Sequence, residues 1–497
     1  MPGFFIGVDS GTQSTKAVVV DGETGQVMGK TSQGYDLIEG LPPGHMEQHP
    51  EIWARTMLAV IRDALELSGV NKSKVKAIGI SGQQHGFVPL DENGAVIRPA
   101  KLWNDTSTAE ECDILNEAMG GLEEITKVSG LPFLPGYTAP KILWLKRHEP
   151  ENYARLAHVL LPHDYLNYML TGNVTMEYGD ASGTCLMDVR KREWSKAAID
   201  ALDPELESKL PDLMPSDVLV GYLSKQAAHG MHLSTDVVVS AGGGDNMMGA
   251  IGTGNTSPGK VTVSLGTSGT VYAYSDKPVV DPRGEIAAFC DSTNGWLPLV
   301  CTMNVTVASE QVRGLFEMSH DELEKTINES EAGSGGVMFL PYLTGERTPS
   351  MPDSTGVYYG LTPGNFTKGN LTRAAVEGAT LGLNYGLERM RELGIEPTEI
   401  RLTGGGSKNP AWRQLCADVF NAEVVTLAES EGAAYGAALQ ALWAYRRSQG
   451  EGASITSIVE RLVQVDESSR AKPINVNVEK YRELQAKHDE LRDRLFR

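Results

Sequence analysis

Near the middle of the chain stands Ala241-Gly242-Gly243-Gly244-Asp245-Asn246, a run whose residue types could do acid–base chemistry. It follows the apolar Val237-Val238-Val239 and precedes an Ala/Met/Gly segment able to begin a helix. Glycines admit close approach to the backbone, and the positive end of a helix dipole favours an ionised carboxylate. Asp245 is therefore a candidate proton acceptor. In isolation the same pattern also describes an N-capping Asp after a flexible turn. Two Gly/Thr-rich turns, one on each side of it in the sequence, shift the balance towards chemistry.

The first is Asp9-Ser10-Gly11-Thr12-Gln13-Ser14-Thr15-Lys16, between apolar residues 4–8 and a second strand at 17–20. A hairpin tip of this kind offers backbone N–H groups and hydroxyls to an anion, with Lys16 as a nearby positive charge. The acidic Asp9 at its base could hold a divalent cation through water, since magnesium keeps several waters and needs one or two carboxylates. The second tip, Gly266-Thr267-Ser268-Gly269-Thr270, lies between strands at 261–265 and 271–274. The spacing of the tips, about half the chain, predicts two similar halves. A third anion site is expected where strand 400–403 runs into Gly404-Gly405-Gly406-Ser407-Lys408-Asn409-Pro410 and a helix opens at Pro410, because helix N-termini present free amides.

Polar groups suited to sugar hydroxyls gather elsewhere. Residues 75–80 read as a strand entering Ser81-Gly82-Gln83-Gln84-His85-Gly86, and a short strand leads to Lys101-Leu102-Trp103-Asn104-Asp105. Amide, imidazole, indole and carboxylate together form a hydroxyl-reading inventory. An ordinary loop histidine is the competing reading of His85.

The remaining elements must position these groups. A helix opening at Pro50 carries Trp53, Met57, Ile61 and Leu65 at core spacing. Another begins near Pro140, and residues 187–232 mix short helices with proline turns. Residues 370–393 read as a long helix whose Gly378, Gly382 and Gly386 share a face, so tight backbone packing is expected along all three. Helix 410–420, a strand at 424–427 and an Ala/Gly-rich helix capped by Ser430 follow. The charged C-terminal helix, with Tyr481, Leu484, Leu491 and Leu495 to one side, is expected to lie on its own domain rather than pair with a partner.

Composition narrows the class. With 497 residues the chain can hold two or three domains, and 54 glycines suggest many turns or ligand loops. A formal charge of −20, without a basic tract, argues against nucleic acid or an anionic membrane as partner. Five scattered cysteines lack metal-ligand spacing and suit a reducing cytoplasm. The N-terminus has no signal-type apolar stretch, and no run nears the roughly 18 apolar residues of a membrane helix, so a soluble cytoplasmic protein is expected.

Longer patterns carry a family resemblance. Gly136-x-Thr138-x-x-Lys141-Ile142-x-Trp144-Leu145, Leu340 to Pro349, and Gly356-x-Tyr358-x-Gly360-Leu361 through Asn370-Leu371 to Ala374-Ala375-Val376-Glu377 resemble the signatures of the FGGY carbohydrate kinases over nearly the whole chain. The resemblance implies an α/β fold of two actin-like domains (ribonuclease H-like, as in hexokinase and heat-shock ATPases) around a central ATP cleft. Residues 1–242 would carry the sugar pocket and first phosphate loop. Residues 243–497 would carry the catalytic Asp at the hinge, the second loop and the adenosine site. ATP and Mg²⁺ are the implied cofactors. Asp9 would serve the metal through water, with Asp245 beside it. Gly11, Thr12, Ser14, Thr15 and Lys16 would form one phosphate loop, and Gly266 and Thr267 the other. Gly405, Gly406 and Asn409 would meet the α-phosphate and adenosine. Asp245 would be the base, and Gln84, His85, Trp103, Asp105, Asp245 and Asn246 would face the sugar. By their likeness to members of the family, the motifs around Gln84, Trp103 and Asp245 imply D-xylulose, phosphorylated at O5, as acceptor; ribulose, L-xylulose and glycerol are alternatives, and a homodimer is compatible. Three departures from the family stand out: Ser107 where arginine is common, Gln84 where methionine is common, and Val307-Ala308-Ser309 in place of a glycine segment near the nucleotide. An ATP-driven interaction protein of actin or chaperone type is the rival class, but no segment resembles a peptide-binding domain.

Overall fold

The computed structural model describes residues 3–429 and 431–497, which fall into two compact units. The first comprises Met1–Thr256, Ser275–Leu297 and Glu431–Val463; the second comprises Ser257–Tyr274, Pro298–Ser430 and Gln464–Arg497.

In the first unit the strand Phe4–Ser10 pairs antiparallel with Ser14–Asp21, Val8 opposite Ala17, and Ser14–Asp21 pairs antiparallel with Val27–Gly34. On its other side Phe4–Ser10 runs parallel to Val75–Gly82, which is parallel to Val238–Ser240; that strand is antiparallel to Leu219–Tyr222. Successive residues point to opposite faces, and here both faces are apolar. Ile6, Val8 and Val19 meet Trp53, Met57, Ile61 and Leu65 of helix Pro50–Ser68, while Phe5, Val18 and Val20 share a second core with Ala434, Ala437 and Ala438 of helix Gly432–Ser448. The core spacing read from Pro50 onward is thus the spacing observed.

The second unit repeats this plan. Lys260–Leu265 pairs antiparallel with Gly269–Ala273, which pairs antiparallel with Trp296–Thr302. Lys260–Leu265 is also parallel to Glu399–Thr403, which is parallel to Glu423–Leu427, itself antiparallel to Val465–Ala471. The order of antiparallel and parallel partners matches the first unit strand for strand, so the expected duplication is present in topology.

Some expectations need correction. The units do not part at residue 242. Helix Asp245–Thr253 belongs to the first unit, and the chain returns there at Glu431. Backbone contact explains it: a Cβ on Gly252 would lie 2.0 Å from the Gly432 carbonyl oxygen, and one on Gly436 would lie 1.8 Å from that of Met248. The glycine face of Lys368–Glu392 is also only partly tight. A Cβ on Gly378 would meet the Phe339 carbonyl oxygen at 2.0 Å, and one on Gly386 would meet Val300 at 2.6 Å, but Gly382 has nothing within 4 Å. The C-terminal helix Asn475–Phe496 does lie on its own unit, burying Val478, Tyr481, Gln485, His488 and Leu491 while Leu495 stays exposed. The cap expected at Ser430 falls outside the described residues.

Candidate active site

Asp245 opens the helix Asp245–Thr253, directly after Gly243-Gly244, which pairs with Ser81 and Gly82 at the end of the neighbouring strand. The glycines are needed for contact. A Cβ on Gly244 would lie 2.6 Å from the Gln84 side chain, and one on Gly243 would lie 2.2 Å from Ser292 Oγ. Gly242 has φ +72°, a conformation few other residues adopt, with the Ile80 carbonyl close behind it. Gln84 is thereby brought against the Asp245 turn, where its Oε1 accepts from Asn246 Nδ2 at 2.8 Å; the same Nδ2 donates to Asp245 Oδ1 at 3.0 Å. Gln84 Nε2 is buried without a protein partner and is suited to a ligand hydroxyl.

The helix dipole was expected to keep Asp245 readily ionised. Burial outweighs it. Desolvation, joined by the charges of Asp9 and Asp180, pushes the carboxyl up to about 7 against the opposing Asn246 hydrogen bonds. Asp9 is raised too, chiefly by burial, although Ser81 Oγ donates to its Oδ1 at 2.8 Å and Lys16 is near. Two electrostatically coupled carboxyls, both carrying charge at a cost, are a donor set that a hard divalent cation would relieve, so the residues present fit Mg²⁺.

His85 has φ +63°, a strained value for a side-chain-bearing residue. Signature residues hold it there: Lys141 Nζ donates to the His85 carbonyl at 2.7 Å and Thr138 Oγ1 does so at 3.2 Å. Its ring packs edge-on to Tyr137, 4.8 Å between centroids, and beside Phe289, over Gly183. Trp103 reaches the hairpin tip, its Nε1 donating to Thr12 Oγ1 at 2.9 Å.

Other expected site residues bond within the protein. Asp105 is fully buried and accepts from Met46 N, Lys101 Nζ, Ser107 N and Ser107 Oγ, so its carboxylate fixes the loop that carries Trp103. His45, Glu47 and Asp105 cluster like metal ligands, but the Lys101 ammonium lies 3.1 Å from each carboxylate and 3.2 Å from His45 Nδ1, supplying the positive charge itself. The buried Thr15 hydroxyl turns inward to Ser10 Oγ at 3.0 Å and Tyr35 OH at 3.2 Å. Lys16 pairs with Glu431 at 3.3 Å. Gly11 and Ser14 remain at the tip, Gly11 N donating to Ser14 O at 3.0 Å.

In the second unit, Gly266 and Thr267 accept backbone bonds from Thr306 and Val305 at 2.9 and 3.0 Å, anchoring helix Thr306–Leu315. The turn after Glu399–Thr403 packs on the same loop: Gly404, at φ +80°, would place a Cβ 2.7 Å from Leu265. Asn409 caps helix Pro410–Phe420, its Oδ1 accepting from Trp412 N at 3.1 Å. Gly405, Gly406 and Asn409 line a pocket of ≈ 590 Å³ with Thr306, Ser309 and His320 among its other walls. Ser309, in the segment that departs from the family's usual glycine, also borders this pocket.

Comparison with known proteins decides the family. Residues 4–252 match the N-terminal domain of the FGGY family of carbohydrate kinases, and residues 261–445 match its C-terminal domain. The chain belongs to the FGGY family of carbohydrate kinases. Among FGGY relatives, the xylulose kinase of Haemophilus influenzae is 44% identical over 96% of this chain and 97% of its own length. That of Bacillus subtilis is 35% identical over 97% and 95%. A solved xylulose kinase from Bifidobacterium adolescentis superposes with a TM-score of 0.83 at 31% identity, covering 97% of this chain and 99% of that one. The glycerol kinase of Plasmodium falciparum, TM-score 0.87 at 21% identity over 99% and 98%, shares the FGGY fold.

Sequence reading missed a buried group behind the Asp245 turn. His163 Nδ1 lies 2.5 Å from Asp180 Oδ2 and its Nε2 lies 3.0 Å from Asp164 Oδ1. Burial alone would favour a neutral ring, but the two carboxylates outweigh it and hold His163 well above the usual histidine range. No spacing rule links residues 163, 164, 180 and 245; the fold brings them together.

Proposed function

We propose that the chain catalyses ATP-dependent phosphorylation of D-xylulose at O5, giving D-xylulose 5-phosphate and ADP, as a cytoplasmic enzyme of pentose use. The full-length 44% identity to a xylulose kinase carries the choice of substrate. The raised, glycine-cushioned Asp245 supports the chemistry. Gln84, His85, Trp103 and Asn246 would place the ketose with its terminal hydroxyl at Asp245, which takes the hydroxyl proton as the new P–O bond forms. Little covalent work is asked of the protein in phosphoryl transfer; positioning and charge dispersal supply the rate. Gly11 and Ser14, with Gly266, Thr267, Gly405, Gly406 and Asn409, would meet the nucleotide through backbone amides and side-chain dipoles. Mg²⁺, held by Asp9 through water and by Asp245, would neutralise phosphate charge when bound.

A coupled ADP-release assay over ketoses and polyols tests the assignment. D-xylulose should give the highest kcat/KM. Preference for ribulose, L-xylulose or glycerol would move the enzyme to another branch of the family.

A further inference from the structure

Thr12 occupies the tip of the first hairpin, where a hydroxyl facing phosphate is the obvious expectation. Its bonds point elsewhere. Thr12 Oγ1 donates to Gln83 Oε1 at 3.0 Å and accepts from Trp103 Nε1 at 2.9 Å. A hydroxyl carries one proton, and here Gln83 holds it, so none remains for an acceptor-only phosphate oxygen. The Thr12 carbonyl accepts from Gln48 Nε2 at 2.7 Å. Gln48 Oε1 in turn accepts from Trp53 Nε1 at 3.0 Å and from Gln83 Nε2 at 3.3 Å. Gln48 and Gln83 are each about 1% exposed, and Trp53 is fully buried in the core, so the ring of bonds has a rigid floor. Both arms that reach the Thr12 hydroxyl begin in loops assigned above to the sugar: Gln83 adjoins Gln84, and Trp103 is itself a sugar-facing residue.

We infer that Thr12 is a positioning residue that ties the first phosphate loop to the sugar loops, so that ketose binding sets the tip for nucleotide. The inference rests on the kinase reading proposed above. A sugar that engages Gln84 and Trp103 bears on both partners of the Thr12 hydroxyl and, through it, on the Gly11 and Ser14 backbone. By linkage, nucleotide then tightens sugar binding by the same factor as sugar tightens nucleotide.

The test is the affinity for a non-hydrolysable ATP analogue with Mg²⁺, measured by calorimetry with and without saturating D-xylulose. In the wild type the sugar should tighten nucleotide binding by about 5- to 150-fold, the usual span of such couplings. Thr12→Val should bring that ratio below about two-fold, and Thr12→Ser, which keeps the hydroxyl, should restore it. Trp103→Phe, which keeps an aromatic ring but loses the N–H, should reduce the ratio as well and serves if Thr12→Val does not fold. A Thr12→Val enzyme that loses nucleotide affinity equally with and without sugar would mark the hydroxyl as a plain phosphate ligand and overturn the inference. An unchanged ratio in both variants, or no coupling in the wild type, would overturn it too. Failure of the wild type to phosphorylate D-xylulose in a parallel assay would instead count against the proposed function.

Discussion

Asp245 sits where a helix dipole and a buried, like-charged setting pull in opposite directions, and burial wins. Its ordinary value is 3.8 and its folded value is about 7. A carboxyl raised on folding stabilises the fold fully below its unfolded value and loses that contribution as pH rises through the folded one. Asp245→Asn removes the charge, so its melting temperature should exceed the wild type's by a few degrees at pH 8 and by much less at pH 5. Equal shifts at both pH values would show that the charge is not strained. The same ionisation governs the base. The kcat/KM for sugar should fall roughly tenfold per pH unit below an inflection near 7, and a flat profile between pH 5.5 and 8 would exclude Asp245 as the titrating group. At this scale the sequence made the carboxylate and its glycines legible. It could not show that Thr15 and Asp105 bond to Tyr35 and Met46, because those partners come from other turns.

Helices succeed or fail here by where backbones touch. Gly436→Ala would press a methyl group onto the Met248 carbonyl, inside the helix that Asp245 opens. It should destabilise the first unit by about 1–3 kcal/mol and lower kcat, since the base moves with its helix. Wild-type melting and turnover would mean the two helices can separate freely. In the second unit, Gly378→Ala should destabilise strongly, whereas Gly382→Ala should be neutral or stabilise by up to about 1 kcal/mol, because it fills open space and improves helix propensity. Comparable losses for the pair would restore the uniform glycine face expected from spacing. Strand starts, Pro50, Pro410 and the heavily apolar faces were readable because local periodicity encodes them. The difference between Gly378 and Gly382 was not, because it depends on Phe339, some forty residues away in sequence.

The whole molecule is a duplicated plan in which each unit contributes a sheet of the same topology and a Gly/Thr hairpin. The two hairpins were visible in the sequence; the return of helix Gly432–Ser448 to the first unit was not, since no local signal marks a chain that goes back. Membership of a kinase family leaves one rival to exclude directly, an ATPase that splits nucleotide without making a sugar phosphate. Phosphorus NMR of the reaction of D-xylulose with ATP and Mg²⁺, run for the wild type and for Asp245→Asn, separates them. The wild type should form a phosphomonoester at C5 in step with ADP, and Asp245→Asn should form it more than about 10²-fold more slowly. ADP accumulating without that ester, or a variant keeping more than about a tenth of wild-type turnover, would contradict Asp245 as the base of a xylulose-phosphorylating enzyme.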